Sequence, residues 1–106
     1  MYQVLIARAD VLTADAARYA KQLVAHLGRK VEFTTEGETS SARFGDSTGR
    51  IVVAAGVLVL IAEAPDPDSL ARVQDILARH LERFGRRREL VVDWHVQPAD
   101  GDGQPE

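Results

Sequence analysis

Residues 64–85 read APDPDSLARVQDILARHLERFG, and this stretch sets the architecture. Asp66 can cap the free amides of a first helical turn, and Pro67 suits the next position, where no N–H is needed. Asp68 adds negative charge at the positive end of the helix dipole. Leu70, Val73, Leu77, Leu81 and Phe84 recur at spacings of three and four, which predicts one apolar stripe on a helix. Arg79 and Arg83 fall in the last turns, and Gly85 can stop the helix. A helix with a single stripe needs a layer to pack on.

Upstream, residues 31–63 supply that layer. Val31–Thr35, Ser41–Phe44, Arg50–Ala54 and Val57–Glu63 read as short strands, separated by turn residues at 36–38, 45–49 and 55–56. Such short connections favour antiparallel pairing. Tyr2–Ala7 reads as a first strand and Leu90–Val96 as a last one. Thr13–Leu27 reads as another helix, capped by Thr13, with Ala16, Tyr19, Ala20, Leu23 and Leu27 buried and Gly28 at its end. The order is β-α-β-β-β-β-α-β. This predicts an α+β two-layer sandwich, a mainly antiparallel sheet with two helices on one face.

The central hairpin raises a question about the other face. A two- or four-residue loop pairs Val52 with Val59, so that Ile51, Val53, Leu58, Leu60 and Ala62 face the helices. Val52, Val57, Val59 and Ile61 then lie on the helix-free side, where polar residues are expected. Either edge strands curl over them or they form an interface with a second copy or a protein partner. A three-residue loop would reverse the faces.

Composition bounds the function. The 106 residues make one domain, expected over 1–97, with an acidic, aperiodic tail at 98–106. Asp100, Asp102 and Glu106 lie in that tail, and the rest of the chain balances 13 acidic against 13 basic residues. A neutral body argues against nucleic-acid binding. No cysteine is present, which excludes disulfides and thiolate zinc sites. The longest apolar run, Ile51–Ala62, has 12 residues, too few to span a membrane, and no signal peptide is recognisable. A cytoplasmic protein is expected.

Chemistry has few candidates. No phosphate-binding glycine motif or metal-binding histidine spacing occurs, and the serines sit at turns and caps. No catalytic, cofactor or metal residue is therefore assigned. His80 falls between Leu77 and Phe84 on the stripe, His26 lies at the edge of the first helix's stripe, and His95 faces away from Trp94. His26 and His80 could form a metal or proton-transfer site if the helices run parallel. Antiparallel helices would hold them roughly 20 Å apart. The plain alternative is a hydrogen-bonded histidine at each helix end. Arg86-Arg87-Arg88 could bind an anion or cap carbonyls.

The segments Tyr19-Ala20-Lys21-Gln22-Leu23, His26, Lys30, Arg43-Phe44-Gly45, Glu63-Ala64-Pro65-Asp66, Ala78 to Phe84, Arg88-Glu89-Leu90 and Trp94 resemble the bacterial family called domain of unknown function 2218. The likeness runs over about residues 8–96. His26, Lys30, His80, Phe84, Glu89 and Trp94 match positions typical of the family. Arg88 departs from it by standing where a glutamate is expected. The resemblance implies a TATA-binding-protein-like sandwich and a link to siderophore-interacting, flavin-dependent ferric reductases. The first expectation is thus a non-enzymatic accessory or binding module of siderophore or iron metabolism. Its candidate ligand or partner residues are His26, Lys30, His80, Arg83 and Trp94. The alternative is a small metal- or haem-binding protein or enzyme using His26 and His80.

Overall fold

The computed structural model describes residues 4–84 and 90–98. The elements are β1 (Leu5–Leu12), α1 (Ala16–Leu27), β2 (Phe33–Glu36), β3 (Thr39–Phe44), β4 (Ser47–Ala54), β5 (Val57–Ala64), α2 (Pro67–Phe84) and β6 (His95–Pro98). The expected order holds. The strands form one sheet in the order β2-β3-β4-β5-β1-β6, and every pair is antiparallel.

The β4–β5 register decides what each face does. Val52 pairs with Val59 and Ile51 with Leu60 across the two-residue Ala55–Gly56 turn. Gly56 has φ +72°, which glycine adopts without the steric cost that a side chain brings. Ile51, Leu58, Leu60 and Ala62 are therefore buried under the helices, joined by Ala7, Ala9 and Val11 of β1. Ala16, Tyr19, Ala20, Leu23 and Leu27 close the core from α1, and Leu70, Val73, Leu77 and Leu81 from α2.

The expected α2 start is in place. Asp66 Oδ1 accepts the Ser69 amide at 2.8 Å, and the Asp66 carbonyl accepts the Leu70 amide at 3.0 Å. The side chain of Phe84, the expected stop at Gly85 and the Arg86–Arg88 cluster lie outside the described residues.

Several boundaries differ from expectation. The first strand runs over 5–12 rather than ending at Ala7, because Ala7, Ala9 and Val11 alternate with Arg8, Asp10 and Leu12 through a stretch that charge made look like a loop. Residues 2 and 3 of the expected strand lie outside the described residues. Helix α1 starts at Ala16 rather than Thr13. The Thr13 hydroxyl accepts the Asp15 amide at 3.1 Å and the Thr13 amide donates to Gly56 at 3.1 Å, which holds 13–15 as a turn against the β4–β5 hairpin. Gly28 caps α1 in a right-handed conformation, its amide on the Val24 carbonyl at 2.8 Å.

The expected loop at 45–49 is mostly strand. Phe44 pairs with Ser47 around a two-residue turn, and Ser47 and Gly49 continue the inward face of β4. A Cβ on Gly49 would lie 2.9 Å from the Phe44 ring, so the glycine makes room for that ring. At the other end, Leu90, Val92 and Trp94 pack partly buried against the core, but only His95–Pro98 pair as a strand. Pro98, expected in the tail, belongs to β6, while 99–106 lie outside the described residues. Both edge strands, β2 and β6, are four residues long.

Candidate functional site

The two helices leave the sheet from opposite ends. Helix α1 follows Leu12 and α2 follows Ala64, whose partner on β1 is Leu5. Their C-terminal halves nevertheless converge. His26 sits beside Leu23 and Leu27, and His80 beside Leu77 and Leu81, and all four leucines are buried in the one core. The His26 and His80 rings lie with centroids 4.8 Å apart and planes tilted by 47°. The rings therefore meet although the helices start at opposite ends of the sheet, which overturns the expectation that such helices would hold them roughly 20 Å apart.

The two rings have different surroundings. His80 is half-buried, and its Nδ1–H donates to the Ile76 carbonyl one turn back at 2.7 Å. That bond fixes the ring plane and leaves Nε2 as an electron-pair donor. His26 is more exposed. Its pKa is held below the ordinary 6.5, first by partial loss of hydration and then by the positive charges of His80, Arg29, Arg83 and Lys30.

Most of the last carbonyls of α1 are engaged by the turn that follows. Amides of Gly28, Arg29, Lys30 and Val31 bond to the carbonyls of Val24, His26 and Leu27 at 2.8–3.4 Å. The negative end of that helix is therefore largely satisfied within the chain. An open cleft over the last turns of α2 is lined by Arg79, His80, Glu82 and Arg83. Arg79 is engaged by Asp75 at 3.1 Å. Among the described residues Arg29, Lys30 and Arg83 form no ion pair. No group of three or more histidine and carboxylate side chains is positioned for a metal among the described residues.

Of the residues singled out from sequence, His26 and His80 touch, and Lys30 and Arg83 are close enough to act on His26. Trp94 packs on the core and makes no ring contact with either histidine among the described residues. Arg29 was missed. Its only signal was a position three residues beyond His26, just past the end of α1.

On the open face, Val59 is 6% exposed, covered within the chain, while Val52, Val57 and Ile61 are half-buried. Leu12, paired with Val57, is 80% exposed and extends the apolar stripe. Arg50–Glu63 at 2.8 Å and Arg8–Asp10 at 2.9 Å flank it.

A small α+β module with a histidine junction at its helix ends is the class that fold and site define. The chain belongs to the family of domain of unknown function 2218, described as an uncharacterized protein conserved in bacteria, whose profile matches residues 8–95. It is similar to PA4090 from Pseudomonas aeruginosa, solved by NMR. The two are 33% identical, the match covers 90% of this chain and 96% of that one, and the TM-score is 0.73. The de novo designed protein Foldit4, 11% identical with a TM-score of 0.45 over 92% of this chain and 97% of that one, is too distant to bear on the fold. No curated protein matches. No helix among the described residues is long and apolar enough to cross a membrane.

Proposed function

We propose that this protein is a non-enzymatic accessory module of the bacterial cytoplasm, linked to siderophore and iron metabolism, which binds its ligand at the His26–His80 junction. The observation that carries this reading is the 4.8 Å approach of the two rings. A leucine at position 80 would pack as well as its neighbours on the stripe, whereas a ring fixed by the Ile76 carbonyl presents an oriented nitrogen. The iron link rests on the family resemblance alone.

A metal- or haem-binding role for the same pair is favoured by one detail. Hydrogen bonding of Nδ1 to a carbonyl is the usual support of a metal-bound imidazole. Calorimetric titration of the protein with a ferric siderophore, ferrous iron and haem separates the readings. Saturable siderophore binding, lost in His26→Ala and His80→Ala, supports the module. Tight ferrous iron or haem binding lost in the same variants supports the alternative. Siderophore binding unaffected by either substitution removes the junction from the function.

The open sheet face supports a second role, pairing with another copy. Arg8 and Arg50 balance Asp10 and Glu63 around the Leu12, Val52, Val57 and Ile61 stripe, and such balanced charge suits a two-fold, self-complementary contact. Sedimentation velocity tests it: a dimer that Leu12→Asp converts to monomer supports the pairing. A monomer at all concentrations removes it and leaves a protein partner, such as a siderophore-interacting reductase.

A further inference from the structure

The charges around the histidine junction specify what it can hold. Arg29, Lys30 and Arg83 come from two segments, the turn after α1 and the last turn of α2, and all three act on His26. They have no carboxylate partner among the described residues, as is also true of Arg18, Lys21, Arg43 and Arg72, but only these three act on the histidine junction. Glu82, on the rim of the adjoining cleft, forms no ion pair among them either. Three of the last carbonyls of α1, those of Val24, His26 and Leu27, accept amides within the chain. A divalent cation at the two rings would be repelled by three permanent charges and met by no acidic ligand set among the described residues.

From this we infer that the junction binds a small multivalent oxyanion, a compound bearing several carboxylates or a phosphate, with Arg29, Lys30 and Arg83 as its charged clamp. Arginines contribute planar paired donors and the lysine a point charge. The two imidazoles, with their planes tilted by 47°, add hydrogen-bonding edges beside them. The inference rests on the junction being a ligand site and adds the chemistry of the ligand.

The test follows the ring signals of His26 and His80 by NMR at pH 7 during titration with citrate, inorganic pyrophosphate and ferrous iron, each at matched ionic strength. Acetate serves as the monovalent control. Saturable shifts with citrate or pyrophosphate but not acetate are expected, and the tighter of the two tells carboxylate from phosphate. Arg83→Gln, Lys30→Gln and Arg29→Gln should each weaken binding about three- to tenfold, for loss of one charge-assisted contact at an exposed site. An unchanged amide spectrum verifies that each variant folds. Shifts with ferrous iron alone would overturn the oxyanion inference while leaving a ligand site at the junction. No saturable shift with any of the probes would overturn both. Citrate or pyrophosphate binding that survives all three substitutions would overturn the clamp.

Discussion

The two faces of the sheet use the same strands, yet only one is covered by helices. The open one mixes apolar residues with the charges of Arg8, Asp10, Arg50 and Glu63. On the covered face, β1 contributes Ala7, Ala9 and Val11 while β5 contributes Leu58, Leu60 and Ala62. Small residues on β1 leave room for the helices, and larger ones on β5 fill the space between them. On the open face the corresponding positions are Arg8, Asp10 and Leu12 beside Val57, Val59 and Ile61. There a single valine is fully sheltered, flanked in register by Val52 and Asp10. A cluster of valines does not by itself draw a second layer. The wholly apolar face receives it, and register decides which residues make up that face.

Substitutions on β5 should measure that contrast. Leu60→Ala removes a side chain with no exposure from beneath the helices and should cost about 3 kcal/mol in urea unfolding. Val59→Ala, on the other face, should cost about 1 kcal/mol, because water and neighbouring side chains can occupy the space. Equal losses at the two positions would mean that the faces are packed alike. Glu63→Gln breaks the ion pair with Arg50, whose side chains are 35% and 28% exposed, and should cost at most about 1 kcal/mol at low salt and less at high salt. Leu12→Asp should leave monomer stability within about 0.5 kcal/mol of wild type, as expected for an exposed position.

The histidine junction provides a pH test outside the sheet. The folded state holds the His26 pKa below 6.5, so the unfolded chain takes up that proton first. Stability from this residue is therefore full above about pH 6.5 and declines as pH falls from there toward the lowered folded value. Unfolding midpoints measured from pH 8 to 5 should show this decline in wild type and less of it in His26→Gln. Added citrate should oppose the decline if the junction holds a multivalent oxyanion, since an anion favours the protonated ring.

Much of the fold was legible because its signals are periodic. The α1 stripe was read residue for residue, as was the α2 stripe from Leu70 to Leu81, and the Val52–Val59 register followed from a two-residue turn. Strand β1 was misplaced because its outward positions hold Arg8 and Asp10, which broke an apolar run without breaking its alternation. The 45–49 loop was overextended because Ser47, Thr48 and Gly49 look like turn residues, although two of them face the core. The contact between His26 and His80 could not be read at all. It depends on how the two helices dock on the sheet, which arises from tertiary packing and leaves no mark in spacing.

The edges of the sheet carry one more consequence. Strand β2 offers only four residues to an incoming chain, and β6 ends at Pro98, which has no N–H to donate. Growth into fibrils by strand addition is therefore poorly supported at either border. A protein protected in this way can keep an apolar stripe facing solvent at high concentration, and a partner of that stripe would meet side chains rather than backbone.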